Sequence, residues 1–230
     1  MGGNGDSLPS TARGMGVDVN ILENLAERRV IPVVVLEKAS DASGVGDALV
    51  AGGLPVAEVT FRTDAAVEAI GIFARRGDLL VGAGTVITPS QVDQAADVGA
   101  SFIVTPGFSA AVVEQARKRN LAIIPGVATA TDIMSALSMG IETVKFFPAS
   151  TAGGIPAIKA LAAPFKQVKF VPTGGVSLSN LAEYLSIPAV LAVGGSWMVP
   201  AKTIQVGDFE TVRRLTAEAV AAVEAFNKEV

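Results

Sequence analysis

The sequence contains no cysteine and no histidine among its 230 residues. Without cysteine, the chain has no disulfide framework, no thiolate metal site and no cysteine nucleophile. Without histidine, it lacks the usual zinc ligand, the base of a serine–histidine triad and the commonest general acid–base group. Any catalyst must therefore be built from Lys, Glu, Asp, Arg, Ser, Thr or Tyr. Of the metal sites, one for magnesium made of carboxylates alone stays open.

Charged residues and long apolar runs are also scarce. Only 17% of the residues are charged, the net charge is −4, and lysine and arginine do not cluster, which argues against a nucleic-acid partner. No apolar run approaches the roughly 18 residues of a membrane-spanning helix. Half of the residues are nevertheless hydrophobic, and the mean hydropathy is +0.50. This combination predicts no membrane partner, strands buried on both faces as in parallel sheets, and an apolar subunit interface.

The first residues differ from the rest of the chain. Residues 1–17 are polar and rich in glycine and lack the apolar core of a signal peptide, so we expect a disordered tail. Met15 is a candidate for the native start. Residues 18–230 contain no linker that would divide them, and we predict that they form one domain.

From residue 18 onward, short apolar runs alternate with helix-like segments. An amphipathic segment near residues 19–29 predicts an N-terminal helix, and helix start signals such as Thr88-Pro89 recur between the apolar runs. Alternation of this kind predicts a parallel sheet. The eight predicted strands cover residues 30–36, 56–61, 79–84, 102–106, 122–127, 143–147, 169–173 and 190–194.

Eight strand–helix units predict an α/β fold of the (β/α)8 TIM-barrel type. The competing architecture, a doubly wound open sheet, would carry a glycine-rich fingerprint after its first strand. That position instead holds Glu37-Lys38-Ala39-Ser40. We therefore predict a barrel, whose active site would lie at the C-terminal ends of its strands.

One lysine, Lys145, stands inside an otherwise apolar predicted strand. Lysine is almost never fully buried without a partner or a function. An amine held away from water is a candidate nucleophile that forms a Schiff base with a carbonyl. The alternative is a lysine near a strand end whose charged head reaches solvent along its own stem. Phe147 lies on the same face and would form an apolar wall beside the amine.

The second predicted strand carries polar side chains on one face, where Glu58, Thr60 and Arg62 alternate with apolar residues. These side chains are expected to point into the mouth of the barrel. An inward glutamate is costly unless it is paired or functional. One interpretation makes Glu58 a catalytic group, and the other makes it half of a Glu58–Arg62 ion pair that plugs the barrel.

Glycines mark the ends of several strands. The third strand ends at Gly84, which leaves room for a ligand beside the Thr85 hydroxyl, and the fourth ends at Pro106. The seventh ends in Thr173-Gly174-Gly175 and the eighth in Gly194-Gly195-Ser196. In such barrels the loops after strands seven and eight frequently hold a phosphate. The paired glycines therefore predict a phosphate site, with two ordinary turns as the alternative.

The combination of lysine, glutamate, arginine and phosphate site indicates imine chemistry on a small phosphorylated substrate, without a metal or cofactor. The chain resembles the bacterial 2-keto-3-deoxy-6-phosphogluconate (KDPG) aldolases, a family that includes 4-hydroxy-2-oxoglutarate (KHG) aldolases. The matching motifs are Glu58-Val59-Thr60-Phe61-Arg62-Thr63, Val81-Gly82-Ala83-Gly84-Thr85-Val86, Pro125-Gly126-Val127, Val144-Lys145-Phe146-Phe147-Pro148-Ala149, Pro172-Thr173-Gly174-Gly175-Val176 and Gly194-Gly195-Ser196-Trp197.

The resemblance implies a cytoplasmic class I aldolase of the Entner–Doudoroff pathway, usually a homotrimer, that cleaves KDPG to pyruvate and glyceraldehyde 3-phosphate. It implies that Lys145 is the Schiff-base lysine and that Glu58 is the general acid and base. By the same resemblance, Arg62 and Thr85 hold the pyruvate carboxylate. The other substrate-binding residues would be Phe147 beside the lysine, Thr173 for stereochemical preference, Pro106, and the phosphate-binding Gly174, Gly175, Gly194, Gly195 and Ser196.

Several alternatives stay open at this point. The substrate could be the galactonate epimer or KHG, and Thr173 favours the gluconate epimer by resemblance only. A phosphate-handling isomerase or epimerase, a non-catalytic sugar-phosphate-binding protein and a metal-dependent aldolase are the others. The chain departs from its relatives at Glu37-Lys38, where they often carry basic residues.

Overall fold

The computed structural model describes residues 11–229, with side chains over residues 20–228. Residues 1–10 of the predicted tail therefore lie outside the described residues. The side chain of Met15 also lies outside them. The predicted N-terminal helix is present as α1 and begins at Thr11, earlier than its amphipathic pattern indicated. Over the described range, no helix is both long and apolar enough to cross a membrane.

Each of the eight predicted apolar runs contains a strand. The run at residues 122–127 holds two short strands, because Pro125 has no N–H to donate and interrupts the ladder between them. The strands are β1 (Val30–Val34), β2 (Val56–Thr60), β3 (Leu80–Gly84), β4 (Phe102–Val104), β5 (Ala122–Ile124), β6 (Gly126–Val127), β7 (Thr143–Phe146), β8 (Lys169–Pro172) and β9 (Val193–Gly195).

Helices separate most of the strands, as the alternating pattern predicted. Capping boxes at Thr88 and Thr129 begin two of them, whereas Ser109 occupies an N-cap without a side-chain hydrogen bond. The helices are α1 (Thr11–Arg28), α2 (Asp41–Ala51), α3 (Ala66–Arg76), α4 (Pro89–Asp97), α5 (Ala110–Lys118), α6 (Ala130–Ser138), α7 (Gly154–Ala162), α8 (Leu181–Leu185), α9 (Ala201–Gln205) and α10 (Phe209–Glu229).

The strands pair in parallel and form a curled sheet in two ladders. One ladder has the order β5-β4-β3-β2-β1-β9, and the other has the order β6-β7-β8. Two isolated parallel bridges, Phe170 to Val190 and Thr173 to Gly194, connect the β8 side to the β9 side. Because all paired strands run the same way, their carboxyl ends meet at one edge of the sheet, where the predicted site residues lie.

Candidate active site

A buried ion pair joins two strands that are not neighbours in either ladder. Nζ of Lys145 on β7 donates to Oε1 of Glu58 on β2 at 3.1 Å. The two residues are only 3% and 2% exposed. Buried charges are tolerated when they are paired and hydrogen-bonded. The structure thus brings the two predicted catalytic residues together, and Lys145 does not reach solvent along its stem.

The alternative Glu58–Arg62 ion pair is absent. Glu58 pairs with Lys145, and within the described residues Arg62 has no carboxylate within ion-pair distance. Arg62 follows the end of β2 and is exposed. Thr60, which we expected to face the mouth, instead donates from its hydroxyl to the Val34 carbonyl at 3.2 Å and is buried. The sheet backbone satisfies this hydroxyl, so Thr60 is a structural residue.

Gly84 at the end of β3 makes room for the Glu58 side chain. A Cβ atom on Gly84 would overlap Oε1 of Glu58 and would lie 2.6 Å from its Cγ. Real Cβ atoms essentially never approach so closely. The glycine that the sequence marked as room for a ligand therefore provides room for the Glu58 carboxylate.

Phe147 connects the ion pair to the open pocket. Nζ of Lys145 lies 5.2 Å from the centroid of the Phe147 ring, a cation–π distance. The same ring is half-buried and forms part of the pocket wall. Phe147 is therefore the apolar wall beside the amine that its position two residues after Lys145 predicted.

The pocket at the carboxyl edge has a volume of about 270 Å³. Among the residues that the structure describes, Arg62 is the one ionisable side chain in its lining. An anionic ligand in this pocket would therefore meet a single cation, the hydroxyls of Thr173 and Ser196, and otherwise backbone and apolar groups. The lining residues are Val33, Val35, Arg62, Phe147, Thr173, Gly174, Gly175, Val176, Gly194, Gly195, Ser196, Val199, Pro200 and Ala201, eight of which are predicted site residues.

The glycines of this pocket adopt conformations that suit anion binding. Gly174 and Gly175 have φ angles of 96° and 82°, in the left-handed region that favours glycine. Within the part of the chain that the structure describes, their N–H groups donate to no backbone carbonyl. Free N–H groups in such a turn attract anions. Gly194 packs so closely on Thr173 that a Cβ would overlap the threonine hydroxyl.

Sequence reasoning missed Asn180, which holds the loop after β8 in shape. Its Nδ2 donates to the Gly175 carbonyl at 3.0 Å, and its Oδ1 accepts from the Ser177 N–H at 2.9 Å. Asparagine commonly makes such bonds to nearby backbone in turns. That preference was the available signal, because Asn180 follows the glycine pair by a few residues.

Thr85 and Pro106 lie at the same edge but outside the pocket lining. Thr85 has a φ of 57°, a value that is rare for a β-branched residue. Residues in such rare backbone conformations are often found at functional sites. Pro106 is half-buried and packs its backbone against Gly126, the residue paired with Lys145 across the β6–β7 ladder. The structure therefore places Pro106 one strand away from the lysine. Among the described residues, no group of three or more carboxylates could hold a metal ion.

Comparison with known proteins identifies the family. The family model described as KDPG and KHG aldolase matches residues 21–215. This chain belongs to the KDPG and KHG aldolase family. It is 50% identical over 206 residues to the 2-dehydro-3-deoxy-phosphogluconate aldolase of Treponema pallidum, which covers 89% of this chain and 98% of the relative. It is 42% identical over 192 residues to the KHG/KDPG aldolase of Escherichia coli K12, which covers 83% and 90%.

Solved structures of family members have the same fold. The KDPG aldolase of Zymomonas mobilis with 3-phosphoglycerate has a TM-score of 0.82 at 43% identity and covers 87% of this chain and 95% of its own. The KDPG aldolase of Legionella pneumophila has a TM-score of 0.82 at 42% identity and covers 85% and 95%. In that Legionella structure, pyruvate is captured as a covalent carbinolamine intermediate. The resemblance noted in the sequence is thus confirmed.

Proposed function

We propose that this protein is a class I aldolase that cleaves KDPG to pyruvate and glyceraldehyde 3-phosphate through a Schiff base on Lys145. The observation that carries the proposal is the buried Lys145–Glu58 pair beside a pocket lined by Arg62 and by the backbone of Gly174 and Gly175. An amine next to a carboxylate provides both the nucleophile and the group that moves its protons. The names of the relatives from Treponema and Escherichia and the covalent pyruvate complex from Legionella support this activity.

The reaction begins with proton transfer from Lys145 to Glu58 across their hydrogen bond. The neutral amine adds to the C2 ketone, and Glu58 returns the proton to the oxygen, which gives the carbinolamine. Loss of water forms the iminium ion, which draws electrons from the adjacent carbon–carbon bond. Removal of the C4 hydroxyl proton by Glu58, acting through a water molecule, breaks the C3–C4 bond. Glyceraldehyde 3-phosphate leaves, the enamine is protonated at C3, and hydrolysis releases pyruvate and the lysine.

The pocket would hold the two anionic ends of the substrate by different means. Arg62 binds the carboxylate, aided by Thr85, and so orients the ketone toward Lys145. The phosphate lies against the backbone of the loops after β8 and β9, where its binding energy positions the distant reacting carbons. The residues proposed for this phosphate site are Gly174, Gly175, Gly194, Gly195 and Ser196.

The wider setting of the enzyme is part of the proposal. The two ladders close into one eight-stranded (β/α)8 barrel, in which β5 and β6 form a single strand bent at Pro125. This closure is supported by the isolated bridges from β8 to β9. We further propose a cytoplasmic homotrimer, consistent with exposed apolar side chains such as Ile87 and Met134, each 61% exposed. KHG is a second substrate, supported by the name of the Escherichia relative.

The decisive experiment traps the imine. Borohydride reduction in the presence of pyruvate should add one three-carbon unit to the protein, and peptide mass mapping should locate it at Lys145. Lys145→Met should lose both the adduct and the release of pyruvate from KDPG in an assay coupled to lactate dehydrogenase. Lys169→Met is the matched control, because Lys169 is also a strand lysine but is exposed and bonded to the Pro188 carbonyl.

The contrary results are equally clear. A protein mass that is unchanged after treatment with pyruvate and borohydride would refute the imine. Substrate turnover without a trapped adduct would indicate an isomerase or epimerase. Activity that disappears with a chelator would indicate a metal-dependent aldolase instead.

A further inference from the structure

The buried hydroxyl of Thr105 donates one hydrogen bond and accepts another. The residue follows β4 and is 2% exposed. Its Oγ1 donates to the Gly107 carbonyl at 2.6 Å and accepts from the Gly126 N–H at 3.0 Å. One bond closes the turn around Pro106, and the other reaches the first residue of β6.

This hydroxyl lies where the two ladders separate. β4 pairs with β5 as far as Val104 and Ile124, and the Thr105 N–H still donates to the Ile124 carbonyl at 3.3 Å. Pro125 then interrupts the strand, and β6 pairs with β7 instead. After that proline, the Thr105 hydroxyl, and not the Thr105 backbone, bonds to the chain, because it accepts a hydrogen bond from the Gly126 N–H. The hydroxyl therefore joins the two ladders at their point of separation.

The strand that Thr105 holds, β6, is paired with β7, the strand that carries Lys145. Gly126 pairs directly with Lys145, and the Lys145 N–H donates to the Pro125 carbonyl at 2.8 Å. Gly126 is also pressed against the Pro106 turn, since a Cβ on it would overlap the Pro106 carbonyl group and lie 2.5 Å from the Gly107 nitrogen. A shift of the turn would therefore move β6, and β6 would move the backbone of Lys145.

We propose that Thr105 is a positioning residue for Lys145. It does not line the pocket, so it acts through Gly126 and the Pro106 turn and not through the substrate. Its hydroxyl fixes the distance between that turn and β6, and so fixes where the lysine amine stands relative to Glu58 and the substrate ketone. This inference deepens the proposed function and rests on it.

Loss of the hydroxyl should affect the chemical step more than binding. Without it, the buried Gly126 N–H loses its partner, which is costly, and the exposed Gly107 carbonyl loses its bond to Thr105, so the turn and strand are expected to separate. A misplacement of about 1 Å at a reacting group can cost roughly 100-fold in rate. Thr105→Val, which keeps the shape, should therefore lower kcat by about 10- to 100-fold and change KM by less than about threefold.

A pair of smaller variants tests the hydroxyl directly. Thr105→Ser keeps the hydroxyl and should retain kcat within about threefold, whereas Thr105→Ala lacks it and should match Thr105→Val. The rate of pyruvate adduct formation with borohydride should fall in parallel with kcat. This readout isolates Lys145, because it does not depend on cleavage or on the phosphate site. The serine and alanine proteins decide the question even where the valine protein fails to fold.

Thr216→Val is the matched control for the loss of a buried hydroxyl. Thr216 in α10 is 0% exposed, and its Oγ1 has no hydrogen-bond partner within the described residues. Its removal should leave kcat and the trapping rate unchanged, whatever it does to the melting temperature.

Three results would overturn the inference. If the Thr105→Ser protein loses as much activity as the Thr105→Ala protein, the Thr105 hydroxyl does not position Lys145. Trapping at the wild-type rate in Thr105→Ala would show that Lys145 is not displaced. A wild-type protein that forms no pyruvate adduct would overturn the proposed function and this inference together, whereas the first two results leave the function standing.

Discussion

The Glu58 carboxylate occupies the space into which a side chain on Gly84 would project. A Cβ built on Gly84 would lie 2.6 Å from Cγ and 2.8 Å from Cδ of Glu58. Gly84 does not have a left-handed φ, so its backbone would accept alanine without strain. The glycine is therefore required for the carboxylate next to it and not for a turn.

Gly84→Ala should displace Glu58 from Lys145 and lower kcat for KDPG cleavage by about 100-fold or more, because proton transfer by a positioned group contributes at least that much. Steady-state kinetics with the lactate dehydrogenase assay measures the effect. Gly71→Ala is the control: this glycine of α3 would place its Cβ 3.1 Å from the flexible end of Arg75 and far from the carboxylate. Equal kcat values for Gly84→Ala and wild type would contradict the role of Glu58.

Arg62→Lys should weaken substrate binding. Arg62 is a cation in the pocket lining, and lysine cannot reproduce the paired hydrogen bonds that a guanidinium makes to a carboxylate. We expect KM for KDPG to rise by about tenfold or more, with a smaller change in kcat. Arg75→Lys, an exposed change on α3, should alter neither constant. If the KM of Arg62→Lys stays at the wild-type value, Arg62 does not bind the substrate carboxylate.

Thr173→Val should change the preference between the two C4 epimers. Thr173 is 6% exposed, lines the pocket and packs its hydroxyl against Gly194. A site that hydrogen-bonds a substrate hydroxyl discriminates strongly against a substrate that presents it differently. The ratio of kcat/KM for the gluconate and galactonate substrates should shift by about tenfold. Thr143→Val, also buried but at the start of β7, should leave this ratio unchanged, and the same ratio in both variants would exclude Thr173 as the determinant.

Asp132→Asn should destabilise the protein in a pH-dependent way. Burial raises the pKa of Asp132, but hydrogen bonds from the Ala128 and Thr129 N–H groups and the Thr129 hydroxyl outweigh it and hold the pKa below the ordinary 3.8. The stabilisation is therefore complete above the unfolded-state pKa and is lost as pH falls through the folded-state value. Urea unfolding should show a loss of up to about 1 kcal/mol near neutral pH, from the charge at the N-terminus of α6.

The control for this pH effect is Glu114→Gln, an exposed carboxylate of α5. Its free energy of unfolding near neutral pH should match that of wild type. A difference between Asp132→Asn and wild type that does not shrink as the pH falls below the ordinary pKa of 3.8 would contradict the assigned cause.

The positions of the strands along the chain were predictable, because each strand lies in a short apolar run bounded by turn signals. The division of one run at Pro125 was not foreseen, although a proline in a central strand argues against an uninterrupted ladder. The role of Thr105 depends on this division. Its hydroxyl acts on Gly126, 21 residues away, and no local pattern around Thr105 announces that bond.

The residues of the candidate site were predictable from the sequence, but which of them form ion pairs with each other was not. Alternation along β2 indicated that Glu58 and Arg62 share a face, which made their mutual ion pair plausible. The true partner, Lys145, lies 87 residues further along the chain. Which side chains meet across the sheet depends on how the strands curl around the interior. That geometry is a property of the whole sheet and of no single segment.

The buried Lys145–Glu58 pair has a consequence for the charge of the interior. An ammonium and a carboxylate sum to zero, and so do the neutral amine and carboxylic acid that internal proton transfer creates. The protonated imine and the carboxylate again sum to zero. In the proposed mechanism, the covalent steps therefore leave the net charge of the Lys145–Glu58 pair unchanged, in a region that is almost closed to water. Electroneutrality is preserved at each step because one partner already stands beside the other before any substrate arrives.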